Sequence, residues 1–315
     1  MTLKDLKNKN RTSTHLFLIS KDKDKKLFSY KVDIDESLRS FFNSSFEVFL
    51  EKNKEKQIEQ FDFDRSTDDS ILEFIVSDSN ELSFHSNTIL KLPEVNKQFI
   101  GLKKLSETKQ SLLAYVVKYF DSKKGDNVYS VTKIQPSKIS VDKKKNIIRA
   151  AFSTDGSKLT EYNEESINFS KNIDFIVYDN SYLISNKAMF EQIVDISKLI
   201  ETKANETISE LETLDTITGV ENIEKLTKGN RILQKRLIKL KYVGTYKNLD
   251  KEKLEKIKEV GNKHGIQVEI EKNRLVITDT EEYIENICKL LCDFYKIGEV
   301  SGTEYGTYSG EKLNI

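Results

Sequence analysis

The sequence predicts an α+β protein: an antiparallel β-rich half at the N-terminus, then a mainly helical C-terminal half containing one small β-hairpin. Up to residue 185 the apolar residues come in short runs bounded by turn-forming Asp, Asn, Gly and Lys, whereas beyond it they recur every three or four residues. The chain is 315 residues long with 37% hydrophobic and 32% charged residues, which suits roughly two soluble domains with real cores. We expect these domains at 1–185 and 186–315.

Residues 15–20 and 27–34 read as two strands around the Lys-Asp-Lys-Asp-Lys-Lys turn at 21–26. Asp35 is a candidate N-cap for a helix over 35–56, whose Leu38, Phe41, Phe42, Phe46, Phe49 and Leu50 fit a buried face better than a base-stacking platform. Ile71, Leu72, Phe74 and Ile75 mark a strand inside an acidic stretch. Residues 112–120 and 128–134 form a further hairpin, as do 147–152 and 158–162 around Thr154-Asp155-Gly156-Ser157, where glycine tolerates positive φ. These hairpins in sequence predict an antiparallel meander. A last pair, 173–178 and 182–185, leads to Asn186 as a helix cap.

Beyond it, Phe190, Ile193, Ile200, Ala204, Ile208, Leu211 and Leu214 predict one long acidic helix over 187–215. The stretch Lys225–Leu249 then carries Lys225, Lys228, Arg231, Lys235, Arg236, Lys239, Lys241 and Lys247 without any Asp or Glu. Its apolar seam runs through Ile223, Leu226, Leu233, Leu237 and Leu240, and Gly229 sets the start of its regular helix at Asn230. A helix over 250–264 capped by Gly265 follows, then a hairpin at 266–278. The final helix carries an Asp279/Glu282 capping box and two buried cysteines, Cys288 and Cys292. The tail spaces Gly298, Gly302, Gly306 and Gly310 four apart, read as an irregular segment, with a backbone-lined anion site as the alternative.

The charges sum to zero but alternate in blocks: +6 over 1–32, −9 over 33–84, +9 over 85–149, −10 over 150–224, +8 over 225–249 and −4 over 250–315. Two explanations compete for the cations of 225–249. They pair with the acidic helix before them, or they meet a polyanion; exposed ion pairs contribute only about 0–1 kcal/mol each, whereas every phosphate contact releases counterions. A second candidate surface is formed by Lys123, Lys124, Lys143, Lys144, Lys145 and Arg149 at the hairpin turns, which serve equally as solvated tips.

No run approaches the ~20 apolar residues of a membrane span, and the first apolar run is too short for a signal-peptide core. His15, His85 and His264 are scattered singly, so no zinc spacing exists, and no Walker loop, nucleophile elbow or HExxH sequence occurs. Asp142-Lys143-Lys144 and Asp24-Lys25-Lys26 match the acidic-x-Lys tripeptide of Mg²⁺ nucleases, a match that a lysine-rich chain produces by chance. We therefore assign no catalytic residue, metal or cofactor.

Two stretches, DFIVYDNSYLISNKAMFEQI at 174–193 and LLCDFYKIGEVSGTEYGTYSGEKL at 290–313, resemble the bacterial domain family that includes the soluble KwaB component of the two-gene Kiwa antiphage system. The resemblance spans roughly residues 100–313 and rests on structural motifs. It implies antiphage defence, DNA binding, and a small integral membrane protein as partner, which would hold a cytoplasmic chain at the inner membrane. It carries over no catalytic residue. A homodimer through the helix at 187–215 would double the basic surface. A cytoplasmic scaffold that docks the membrane partner without touching DNA is the alternative, and a Mg²⁺-dependent nuclease the third.

Overall fold

The computed structural model describes residues 6, 11–63, 66–77, 82–121, 126–136, 139–140, 150–152, 159–161, 166–298 and 301–306. The chain divides into two compact units, Met1–Asp195 and Ile196–Ile315.

The first unit opens with β1 (Arg11–Lys21) and β2 (Leu27–Val32), an antiparallel pair. The Asp22 carboxylate closes their turn by accepting from the amides of Asp24 and Lys26, both at 2.9 Å. Helix α1 (Glu36–Lys52) starts where Asp35 accepts from the Leu38 amide at 2.8 Å, and it buries Phe42, Phe46, Phe49 and Leu50. There follow β3 (Gln57–Gln60), β4 (Ser70–Ile75), α2 (Ser83–Asn87), a 3-10 turn at Ile89–Glu94 and α3 (Leu102–Glu107). The long hairpin of β5 (Ser111–Asp121) and β6 (Asp126–Lys133) comes next. β7 (Ile139–Ser140) pairs with β10 (Ser166–Ile167), and β8 (Ala150–Phe152) with β9 (Leu159–Glu161). β11 (Phe175–Tyr178), β12 (Ser181–Ile184) and α4 (Lys187–Ile193) complete the unit.

Eight strands form one sheet in the order β2-β1-β5-β6-β11-β12-β4-β3, with β3 and β4 parallel and the other pairs antiparallel. This corrects the expected meander. In β1, Leu16 and Leu18 lie on one face and Phe17 and Ile19 on the other, and all four are buried. A strand apolar on both faces belongs in a sheet interior, so β1 takes β5 as its second neighbour. One face packs Leu16, Leu18, Tyr115, Val117, Ile176 and Leu183 on Phe42 and Phe46 of α1. The opposite face carries an aromatic cluster in which Phe175 meets Phe84 at 6.1 Å and Phe190 at 5.3 Å. Asp174 ties β6 to α4 by accepting from the Lys133 amide at 2.7 Å and from Asn186 Nδ2 at 3.0 Å. Burial pushes its carboxyl above the usual range.

The second unit contains α5 (Ser197–Glu212), β13 (Ile217–Thr218), α6 (Val220–Thr227), α7 (Arg231–Val243), a 3-10 turn at Thr245–Asn248 and α8 (Lys251–Lys263). Then come β14 (Ile270–Glu271), β15 (Arg274–Val276), α9 (Glu281–Leu291), β16 (Tyr295–Ile297) and β17 (Glu304–Gly306). The helices enclose a core of Ala204, Ile208, Leu211, Leu233, Leu237, Leu240, Ile284 and Ile287. β14 and β15 are the expected hairpin, and β13 adds to it in parallel on the other side of β15. Gly219, at φ +80, lets that strand turn into α6; a Cβ there would lie 2.3 Å from the Ile277 carbonyl oxygen.

Three helix and tail expectations are corrected. The helix over 187–215 is two helices, because Val194 takes extended backbone angles, and Val194 and Ile196 both bury their side chains with the spacing of a strand. The cap of α9 is Thr280, whose side chain accepts from the Tyr283 amide, while Asp279 is drawn instead to Lys225 at 2.6 Å. The described part of the tail is a β16–β17 hairpin.

Candidate nucleic-acid interface

Asn230 starts α7 by accepting from the amides of Ile232 and Leu233 at 3.1 and 3.2 Å, and its Nδ2 donates to Glu281 at 2.7 Å. The helix ends at Gly244, φ 73, whose amide returns to the Leu240 carbonyl. Between these caps Leu233, Leu237 and Leu240 are buried against Ala204, Ile208 and Leu211 of α5 and against Ile284, Ile287 and Leu291 of α9. The core therefore fixes which side of α7 faces outward.

At ~100° per residue, Arg231, Lys235, Arg236 and Lys239 fall within an arc of about 140°. Ile232 and Tyr242 share the arc and are 64% and 41% exposed. The Lys239 ammonium stands 5.0 Å from the centre of the Tyr242 ring, a cation–π contact. Sequence reasoning missed these two apolar members; their signal was that both lie off the seam of Leu233, Leu237 and Leu240. Arg231 is exposed, and Lys235, Arg236 and Lys239 are half-buried.

The other cations of the stretch point elsewhere. Lys241 reaches Glu210 at 2.7 Å and Glu206 at 3.2 Å on α5, and Lys247 reaches Glu210 at 3.7 Å. Tyr246 donates its hydroxyl to Glu210 at 2.6 Å. The bond from Lys241, then that from Tyr246, holds the Glu210 carboxyl below its usual range, while Glu206 is lowered first by Lys203 and then by Lys241. Lys241 is raised, chiefly by Glu210. Lys225 is held by Asp279 on the loop before α9. Lys228 is exposed in the turn between α6 and α7. Of the eight cations, four share this arc, Lys228 lies in the turn, and Lys225, Lys241 and Lys247 lie off the arc.

Lys123, Lys124, Lys143, Lys144, Lys145 and Arg149 lie outside the described residues, as does Asp142. Asp24, Lys25 and Lys26 form the exposed turn between β1 and β2. The exposed positions of α5, namely Ser197, Lys198, Glu201, Thr202, Asn205, Ser209 and Glu212, are all polar. In the tail, the Gly298 amide bonds the Thr303 carbonyl and the Gly302 amide the Gly298 carbonyl, so these two N–H groups are engaged internally. Cys288 and Cys292 are buried, and burial pushes the Cys288 thiol up to about 12, against the opposing pull of Arg236. Among the described residues no group of three or more His, Cys, Asp or Glu side chains could hold a metal ion. Among the same residues no helix is long and apolar enough to cross a membrane.

No curated protein and no solved structure matches the chain. A family model described as Kiwa protein KwaB-like matches residues 109–301, from the start of β5 to beyond β16. That match covers more than half of the 315 residues and includes the whole of α7, so the chain belongs to the KwaB-like family and, through it, to Kiwa antiphage defence with a KwaA partner at the family level.

Proposed function

We propose that the chain is a DNA-binding effector of Kiwa defence, and that the outward arc of α7 is its contact surface. The observation that carries this reading is the arc itself: Arg231, Lys235, Arg236 and Lys239 on one side of a helix whose other side is pinned in a core. Cations so spaced meet successive phosphates, with little dependence on base sequence. Ile232 and Tyr242 add apolar contact beside the charges. Lys228 extends the surface before the helix. A homodimer through the helical stretch at 187–215 would double this surface.

A small membrane-protein partner, KwaA-like in kind, brings this surface to the inner membrane in our reading. In this reading DNA is held rather than cut, and a Mg²⁺-dependent nuclease is the alternative that the test below separates. A scaffold reading draws on Lys225, Lys241 and Lys247, whose carboxylate partners give part of the basic stretch an internal role.

A gel shift over a salt series, with and without Mg²⁺, separates these readings. The wild-type chain retards duplex DNA, and R231E/K235E/K239E weakens that binding at every sequence tested. The log–log salt dependence flattens by about one unit for each phosphate no longer neutralised. Unchanged affinity in the triple variant removes α7 as the site; cleavage products in Mg²⁺ make the protein a nuclease.

A further inference from the structure

A second set of cations lies on the sheet of the first unit, on the face opposite α1. In register, His15 of β1 stands opposite Lys118 of β5, and Lys118 opposite Tyr129 of β6. Lys31 of β2 sits opposite Phe17, one same-face step along β1 from His15. The three strands therefore set imidazole, ammonium and phenol in one row, with a second ammonium on the diagonal. His15, Lys31 and Lys118 are half-buried and Tyr129 is buried. Among the described positions on this face of β1, β2, β5 and β6 there is no Asp or Glu. In the adjoining row, Asn127 stands opposite Phe120 and keeps a buried carboxamide oxygen without a hydrogen-bond partner among the described residues.

Like charges directly opposite on a sheet repel, and half-burial withholds the water that would screen them. The row meets both penalties with no carboxylate on its strands; Asp33, which follows β2 and continues its register toward His15, is exposed. An oxyanion between the strands would offset both, because a histidinium, two ammonium groups and a phenol are all donors to it. A carboxamide, whose nitrogen and oxygen exchange by a simple flip, adds a donor where Asn127 now has an idle acceptor. Burial, then Lys31, Lys118 and Arg39, holds His15 below its ordinary value, and burial lowers Lys118. Both groups are thus biased toward losing the charge that an anion would restore.

We propose that the row His15–Lys118–Tyr129, together with Lys31, is a binding site for a phosphoryl oxyanion. The site lies in a different unit from α7 and does not rest on the DNA reading. Its ligand is a small phosphate compound or a phosphate of nucleic acid; the chemistry of recognition is the same.

The test uses the full chain, with pyrophosphate as one probe and duplex DNA as the other. Pyrophosphate raises the melting temperature by at least about 2 °C, and K118M removes that rise. K118M alone melts no lower than wild type without ligand, because it replaces a desolvated charge by a chain of similar length. Should K118M fail to fold, K31M and H15Q take its place, and the His15 ring protons followed by NMR report directly: pyrophosphate moves their titration to higher pH. Loss of the pyrophosphate response in K118M with duplex affinity intact identifies a small ligand. Loss of both, when measured against R231E/K235E/K239E as the α7 control, identifies nucleic-acid phosphate. A pyrophosphate response that survives in K118M and H15Q, or His15 protons that do not move, overturns the site.

Discussion

The basic arc of α7 and the cationic row of the sheet gather similar side chains on different scaffolds, the arc on one helix beside carboxylate-bearing elements and the row across strands that carry no Asp or Glu on that face. The arc is at the surface, with Arg231 exposed and carboxylates on neighbouring elements already taking Lys225, Lys241 and Lys247. Holding charges there costs little, since water and salt screen them, and what they offer a polyanion acts over about a Debye length, ~8–10 Å. The row shares the half-burial of Lys235, Arg236 and Lys239, but its strands bring no carboxylate to that face, so its charges are costlier to hold. A helix face of this sort suits capture; a sheet row suits a fixed ligand.

The comparison can be broken from beneath the arc. Leu237 is fully buried under it, and Leu237→Ala is expected to destabilise the second unit by roughly 2–5 kcal/mol, read by urea denaturation with hydrogen exchange over 196–298. If the variant weakens DNA binding only in proportion to unfolding, the arc depends on its platform and not on Leu237 itself.

A smaller effect sharpens the division between arc and counter-charge. Glu206→Gln with Glu210→Gln frees Lys241 and Lys247, and duplex affinity at low salt is expected to rise a few-fold while stability falls by about 0–1 kcal/mol per exposed pair. Both carboxyls are lowered in the folded chain. Their contribution is therefore present above the unfolded carboxylate range and fades as pH falls through the folded values. No change in affinity would mean that these lysines already lie outside the DNA surface.

The smallest effect concerns the row. His15 is lowered in the folded chain, so the unfolded chain takes up the proton first; stability is complete above the ordinary histidine value of about 6.5 and declines as pH drops below it. His15→Gln is expected to flatten that decline in melting temperature between pH 7 and pH 5. An identical slope in both proteins would show that His15 titrates as it does in the open chain.

The two regions also differ in how far the sequence discloses them. The arc is contiguous: Asn230 and the glycine at 244 bracket it, and the absence of acids from 225 to 249 is visible without coordinates. Caps at Asp35 and Asn186 were legible for the same reason, since a cap acts within three residues. The row joins residues 15, 31, 118 and 129, and only strand order and register bring them together. The break after Ile193 was hidden because Ile193 and Ile200, seven apart, also fit one seam of a continuous helix, which masks the strand spacing of Val194 and Ile196 between them. Thr280 displaced Asp279 as a cap because Lys225, 54 residues away, attracts the carboxylate. The two-residue strand β13 is too short to carry any period.

The order of strands also determines when the sheet can exist during synthesis. The first two pairs, β1 with β2 and β3 with β4, end up as its opposite flanks, and the middle is filled by β5, β6, β11 and β12. A nascent chain holds two flanks with nothing to join them until β12, ending at Ile184, has left the ribosome and reached β4. Contacts so distant in sequence close slowly. β1 gains its second neighbour when β5, ending at Asp121, has emerged, but until β12 arrives β4 presents an unpaired apolar edge, the kind of surface that recruits chaperones or strays into another chain.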